Sequence, residues 1–280
     1  MKKRYGILAY PAKHSLSPVI HNKAFEHLDI DASYEVFEVD EKSLDSFMKK
    51  LRDGDICGVS VSLPYKEKIL EYLDEIDDDA LRIGAVNTIV KKDDGVLCGY
   101  NTDWIGAVEA IKEVYGSLEE SISVVAGAGG AARATVYGLL KEGSHVWVQN
   151  RTREKADKMA IEFAELFESE IHSDDWEQQG TGDILVNATS IWHQKKDEMP
   201  YFCDPEYVEC FDTVMDLSYT PLMTPLLRIA KNLGKKIVSG DRMLLFQAAK
   251  QFELWTCKKP PFEVMESALK NEGILHQTSR

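Results

Sequence analysis

The stretch Ser121 to Leu140, SISVVAGAGGAARATVYGLL, constrains the fold more than any other. An apolar run carrying Ile122, Val124 and Val125 ends in a glycine cluster, and a helix-forming stretch follows without a linker. The cluster, Gly127-Ala128-Gly129-Gly130-Ala131-Ala132, fits G-x-G-x-x-G/A with Ala132 in third place. Each position has a physical reason. Gly127 permits a tight turn out of the strand. Gly129, lacking a Cβ, lets the backbone come close to a pyrophosphate. Ala132 is small enough for the helix to pack on the strand, and the helix N-terminus faces the anion. The glycines alone would fit a turn with no ligand. The flanks decide: a second strand, His145 to Val148, arrives after the stop signal at Gly143, which makes a βαβ unit of the dinucleotide-binding type.

The end of that second strand selects the nucleotide. NAD sites commonly place an Asp or Glu there for the ribose hydroxyls. Here the chain reads Gln149-Asn150-Arg151-Thr152-Arg153. Guanidinium forks pair with phosphate oxygens, so two arginines and no carboxylate suit a 2′-phosphate, and NADP is expected over NAD. A solvated basic turn is the plainer reading, stronger for Arg153 than for Arg151.

The 280 residues suffice for one large or two ordinary domains with a substantial core. No apolar run approaches the roughly 20 residues of a membrane span, and the N-terminal MKKRYGILAYPAKHS, broken by Gly6 and Pro11, reads as a strand and not a signal peptide. A formal charge of −14 repels nucleic acid and anionic membranes at long range, so the expected partner is a small molecule, held by a monomer or homodimer. The five cysteines are scattered without a C-x-x-C pair, and Cys57 and Cys98 sit in strand-like runs, which fits buried thiols in a reducing cytoplasm. The seven histidines show no H-x-x-x-H spacing, and no metal site is indicated.

Taken in order, the pattern predicts a strand over Arg4 to Tyr10, a hydroxyl-rich loop, and a helix from an N-cap at Ser17 to about Leu28. A strand over Ser33 to Val39, an amphipathic helix over Ser43 to Leu51 and a strand over Cys57 to Leu63 follow. Pro64-Tyr65-Lys66 opens a helix to about Leu73. This β-α-β-α-β order belongs to an α/β domain with parallel strands. A hairpin turns at Lys91 to Gly95, and a helix from Trp104 to Tyr115 leads to the glycine-rich unit. Beyond it come a helix over Arg153 to Phe167 and strands over Asp183 to Val186, Thr213 to Leu217 and Lys236 to Val238. Helices over Thr224 to Leu233 and Met243 to Trp255, a break at Gly240, a last helix to about Leu269 and a disordered tail complete the expectation.

A dinucleotide domain in the second half implies hydride exchange with a substrate held by the first half, at strand C-terminal ends. Lys66 and Asp103, if brought together, could move a proton at a hydroxyl or carbonyl. On the sequence alone Lys66 reads more readily as a surface lysine beside Glu67 and Lys68, and Asp103 equally as an N-cap for the helix at Trp104. Ser15 and Ser17 lie two apart in one loop and could bind a small polar substrate, or cap locally. Asn87 and Asn101 flank the hairpin, where asparagine also forms turns. Gln247 shares a helix face with Met243, and a polar group there needs a partner.

Together these residues resemble the shikimate dehydrogenase family. His14-Ser15-Leu16-Ser17-Pro18 looks like its H-S-x-S-P motif, and Val61 to Lys66 like V-T-x-P-x-K. Gly84 to Thr88 is G-A-V-N-T, and Asn101 to Asp103 is N-T-D. Gly127 to Ala132 resembles G-A-G-G-A-A, Asn150 to Thr152 N-R-T, Asn187 to Ser190 N-A-T-S, and Gly240 to Gln247 G-x-x-M-L-x-x-Q. Eight motifs in family order span nearly the whole chain.

The resemblance implies two domains. An N-terminal α/β substrate domain with a mostly parallel sheet covers 1–103, completed by 239–280, and a Rossmann-type NADP-binding domain covers 104–238. It implies reversible reduction of 3-dehydroshikimate to shikimate with NADPH, on the route to chorismate and the aromatic amino acids. Lys66 would be the acid/base, paired with Asp103. Substrate contacts would come from Ser15, Ser17, Ser62, Asn87, Asp103, Tyr219 and Gln247. Cofactor contacts would come from Gly127, Ala128, Gly129, Gly130, Ala131, Asn150, Arg151, Thr152, Arg153, Lys155, Leu217, Gly240 and Asp78.

Departures keep two other readings in view. Ser62 replaces the usual Thr, Ser60 a common Asn, and Asp241-Arg242 small or apolar residues. Trp104 and Trp192 stand where glycine is usual, and are expected near the substrate pocket. A quinate or quinate/shikimate dehydrogenase is one alternative. An NADP-binding regulatory protein without turnover is the other, against which the retained Lys66 and Asp103 speak.

Overall fold

A computed structural model describes residues 2–12, 15–174, 181–193 and 199–271, so His14 and the C-terminal tail lie outside the described residues. The chain divides into two compact units: Met1–Thr102 with the helical segment from Gln247 onward, and Asp103–Phe246. The change of unit falls inside one helix, at Phe246 and Gln247, eight residues beyond the expected boundary at 238/239.

The first unit runs β1 (Lys3–Ala9), α1 (Ser17–His27), β2 (Ala32–Glu38), α2 (Leu44–Asp53), β3 (Ile56–Val61), β4 (Glu75–Ile76), α3 (Asp78–Ile83), β5 (Thr88–Lys91) and β6 (Leu97–Tyr100). Its six-stranded sheet has the order β2-β1-β3-β5-β6-β4. Pairings of β1 with β2 and β3, and of β4 with β6, are parallel, while β3-β5-β6 is antiparallel because β5 and β6 form the expected hairpin. Gly95 supplies the turn, with φ 86°. The apolar face of α2, with Leu44, Phe47, Met48 and Leu51, packs on Ile56, Val59 and Val61 of β3.

The second unit runs α4 (Asp103–Val114), β7 (Ile122–Ala126), α5 (Gly130–Lys141), β8 (His145–Gln149), α6 (Arg153–Phe167), β9 (His172–Asp174), β10 (Ile184–Asn187), α7 (Pro205–Val208), β11 (Thr213–Asp216), α8 (Pro225–Asn232) and β12 (Lys236–Val238). Then α9 (Gly240–Thr256) carries the chain back to the first unit, and α10 (Phe262–Asn271) ends the described chain. The second sheet is parallel throughout, in the order β12-β11-β10-β7-β8-β9. Counted within this unit it reads 3-2-1-4-5-6, the Rossmann order, with the reversal at β7 and β10.

Four expectations need correction. No α-helix follows Pro64; only a short 3-10 turn forms at Lys68–Tyr72. The carbonyl of Lys66 accepts from Val86 N–H at 2.8 Å, and Leu70 N–H turns back to Glu67, so the i→i+4 ladder does not propagate. Ser17 is not the N-cap of α1: Leu16 holds that position, and the Ser15 hydroxyl accepts from Ser17 N–H at 3.3 Å. The strand ends before Gly240 as expected, but the helix expected from Met243 starts three residues earlier, at Gly240, a position where a Cβ would lie 2.3 Å from the Leu217 carbonyl oxygen. Short elements β4, α3, β9 and α7 escape the pattern, being too brief to show a period.

Candidate active site

In the first unit the backbone gathers three motifs at the end of β3. Val61 N–H donates to the Asn87 carbonyl at 2.7 Å, Val86 N–H to the Lys66 carbonyl, and Ser62 N–H to the Leu8 carbonyl at 2.9 Å. Lys66, Ser62 and Asn87 therefore lie on neighbouring backbone segments, with Lys66 and Ser62 half-buried and Asn87 buried. Tyr10 N–H donates to the Leu63 carbonyl, tying the loop that carries half-buried Ser15 and buried Ser17 to the same edge.

Asn87 sits in a buried polar cluster. Its Oδ1 accepts from Thr102 N–H at 2.8 Å and from the Thr88 hydroxyl at 2.7 Å, and its Nδ2 donates to Thr102 Oγ1 at 3.0 Å and to Gln247 Oε1 at 3.4 Å. The last contact joins two expected substrate residues 160 positions apart. Asn101, by contrast, donates to the Ala85 carbonyl at 2.8 Å and holds the hairpin. Sequence reasoning did not reach Tyr34, Thr88 and Gln251, which extend the cluster; the spacing of Gln251, four beyond Gln247 on α9, was the available signal.

In the second unit, C-terminal strand ends converge. Gly127 N–H donates to the Gln149 carbonyl at 2.7 Å, Ala188 N–H to Ala126, and Leu217 N–H to Asn187. Gly127 has φ 125°, a left-handed value glycine reaches at low cost, and a Cβ would press on Ala188 at 3.1 Å. Gly129 caps α5 in extended conformation, and among the described residues a Cβ there would meet nothing within 4 Å. Among the described residues, then, nothing crowds Gly129 at the helix N-terminus, the position an anion takes in this motif. Ala132 is fully buried beneath it.

After β8 come half-buried Asn150 and exposed Arg151, Thr152, Arg153 and Lys155. The Asn150 amide donates to the Thr152 carbonyl at 2.9 Å, and Arg153 faces Asp157 at 3.6 Å, both about half exposed. Uncrowded glycine, helix terminus and basic rim are the features an NADP pyrophosphate and 2′-phosphate require. Leu217 and Tyr219 follow β11, both half-buried, and burial raises the Tyr219 phenol above its ordinary value. Asp103 is buried in the first turn of α4, and Asp78 is exposed in the first turn of α3.

Comparison with known proteins places these features in a family. A family model described as the shikimate dehydrogenase substrate binding domain matches residues 7–89, and one described as the shikimate 5′-dehydrogenase C-terminal domain matches 242–270. The chain is 42% identical over 271 residues to a shikimate dehydrogenase (NADP(+)) of Methanothermobacter thermautotrophicus, covering 95% of each chain. It belongs to the shikimate dehydrogenase family.

Two solved structures of the family agree in fold. A shikimate dehydrogenase crystallised with NADP+ superposes with TM-score 0.90 at 38% identity, covering 97% of this chain and 96% of its own. The Thermus thermophilus shikimate 5-dehydrogenase, crystallised with NADP(H) and shikimate, gives 0.83 at 36%, covering 96% and 99%. Within that family the unusual residues here have structural partners. Trp104 packs edge-on against Tyr137 with Lys141 over its ring, Trp192 donates to Asp216, Asp241 accepts from Ser239, and Arg242 pairs with Glu113 at 2.6 Å. All of these contacts lie inside the second unit.

Proposed function

We propose that this chain is an NADP-dependent shikimate dehydrogenase, reversibly reducing 3-dehydroshikimate to shikimate in chorismate and aromatic amino-acid synthesis. End-to-end similarity to NADP-dependent shikimate dehydrogenases carries this reading. Unit one binds the substrate through Ser15, Ser17, Ser62, Asn87 and Gln247, with Asp103 and Tyr219 contributing. Unit two holds the cofactor: Gly127 to Ala131 take the pyrophosphate, and Asn150 to Lys155 take the adenosine end with its 2′-phosphate. Leu217 and Gly240 line the remainder, and Asp78 is assigned to the cofactor by the family resemblance alone.

NADPH, when bound, supplies the hydride. Lys66 holds a proton at Nζ for the carbonyl oxygen of 3-dehydroshikimate, so the negative charge developing there is neutralised, and it takes the proton back in the oxidative direction. The family resemblance assigns Asp103 to the substrate and to proton transfer as the partner of Lys66. The asparagine and glutamine amides orient the ring hydroxyls. The five free thiols fit a reducing compartment, and we place the enzyme in the cytoplasm as a monomer or homodimer. Among the described residues no helix is long and apolar enough to cross a membrane.

The test is an absorbance assay of the purified protein with shikimate and NADP+, with quinate and NAD+ in parallel arms. NADPH formation with shikimate is expected. Preference for quinate would replace the substrate, and cofactor binding without turnover in every arm would replace the enzyme reading with a regulatory one.

A further inference from the structure

Two backbone groups fix the direction of a buried hydrogen-bond chain that ends on Asn87. The Asn87 carbonyl can only accept, so the Gln251 atom 3.2 Å from it is the amide nitrogen. That nitrogen also donates to Thr88 Oγ1 at 3.0 Å, so the Thr88 proton is turned to Asn87 Oδ1 at 2.7 Å. The other end of the Gln251 carboxamide is then an acceptor, and it takes the Ser60 hydroxyl at 2.8 Å. Ser60 Oγ in turn accepts from Tyr34 OH at 2.6 Å. Thr102 N–H, which can only donate, meets the same Asn87 Oδ1 at 2.8 Å and agrees with the assignment. Donation therefore runs one way, Tyr34 to Ser60 to Gln251 to Thr88 to Asn87, through residues that are all at least 95% buried.

We infer that Gln251 is a positioning residue for the substrate amide, acting through Asn87; this rests on the proposed shikimate dehydrogenase activity. Its side chain holds Asn87 twice, by the backbone carbonyl and through Thr88. With Oδ1 committed to Thr88 and Thr102, Asn87 presents its NH₂ as a donor, to Thr102 Oγ1 at 3.0 Å and to Gln247 Oε1 at 3.4 Å, and the longer of these contacts is the one that a substrate oxygen would take over. Thr102 N–H still holds Oδ1 when Gln251 is removed, but the Asn87 carbonyl is left with Val61 N–H among the described residues and the Thr88 hydroxyl is free to turn away, so the NH₂ is held less firmly at its place towards the substrate. Ser60 and Tyr34 orient Gln251 from behind. Their loss matters less, because the Asn87 carbonyl alone already dictates which end of Gln251 faces it.

The experiment compares Gln251→Leu, Gln251→Glu and Tyr34→Phe with the wild-type enzyme. It uses steady-state kinetics in shikimate and in NADP+, with thermal unfolding of each protein. Gln251→Glu keeps the volume but has at most one O–H to donate, so it cannot serve both Asn87 and Thr88. Both Gln251 variants are expected to raise the shikimate KM about tenfold, the loss of one buried hydrogen bond. The NADP+ KM stays unchanged and kcat falls less than the KM rises. Tyr34→Phe is expected to raise the shikimate KM by no more than about threefold. Wild-type turnover of shikimate establishes the reading beneath this inference, and its absence removes both. Against an active wild type, an unchanged shikimate KM in either folded Gln251 variant overturns the inference alone. So does a lowered melting temperature with no kinetic split.

Discussion

The indole N–H of Trp192 donates to Oδ2 of Asp216 at 2.7 Å. The same oxygen accepts from Asn187 Nδ2 at 3.1 Å and from Thr224 Oγ1 at 2.8 Å, while Oδ1 accepts from Ser218 N–H at 3.0 Å. Burial raises the Asp216 carboxyl above the ordinary carboxylate range, and these four donors oppose the rise. One carboxylate thus joins the ends of β10 and β11, the 3-10 turn Ile191–His193 and the start of α8. Asn187 leads directly to Ala188, on which Gly127 rests. A tryptophan in place of the usual glycine is therefore a framework donor to the carboxylate that underlies the cofactor loop.

Trp192→Phe should accordingly act on stability. It keeps most of the ring and removes one donor from a buried carboxylate, at a cost of about 1–3 kcal/mol. A lower melting temperature with an unchanged shikimate KM is the expected result. An unchanged melting temperature with a shifted shikimate KM would assign Trp192 to the substrate pocket instead.

The cofactor cradle was legible in the sequence because its chemistry is local: Gly127, Gly129 and Ala132 each answer a need set by immediate neighbours. The longer regular elements were legible through their period. What pattern could not reveal was contact between distant positions. Asn87 with Gln247, Ser60 with Gln251 and Trp192 with Asp216 are separated by 160, 191 and 24 residues. The segment after Pro64 misled for the same reason. Its composition suits a helix, but Lys66 gives its carbonyl to Val86, far along the chain.

His21 makes stability depend on pH. Its ring is fully buried, stacked on Tyr34 at 4.5 Å and tilted against Trp255 at 5.1 Å, with neither nitrogen hydrogen-bonded among the described residues. Burial pushes its pKa down to about 3. An unfolded histidine takes its proton near pH 6.5. Between those values the unfolded chain holds the extra proton, so the contribution is complete above about 6.5 and is lost as pH falls toward 3, by about 1.4 kcal/mol per unit. His21→Phe should shrink the stability lost between pH 6.5 and pH 5 by about 2 kcal/mol. Denaturant unfolding at the two pH values measures it; an unaltered difference would mean that His21 is protonated in the fold.

Arg151 should set the nucleotide preference. Arg153 already faces Asp157, whereas Arg151 precedes α6 at the exposed end of β8. A charge-assisted hydrogen bond contributes about 1.5–3 kcal/mol. Arg151→Ala should therefore lower kcat/KM for NADP+ by roughly 10- to 100-fold and leave the value for NAD+ within about twofold. Equal losses with both nucleotides would assign Arg151 to the loop and not to the 2′-phosphate.

Lys66 carries the sharpest prediction, because its place in the fold is set by backbone and its proposed role by its ammonium group alone. The carbonyl contact with Val86 survives any side-chain change, so Lys66→Ala should leave the turn at residues 62–68 and the Asn87 cluster in place. Removing a general acid then lowers kcat by roughly 10²–10⁴-fold, with shikimate and NADP+ still bound. Single-turnover rates beside equilibrium binding of shikimate separate the two effects. Near-normal turnover would move the proton transfer to another group, and loss of binding without loss of kcat would make Lys66 a substrate contact only.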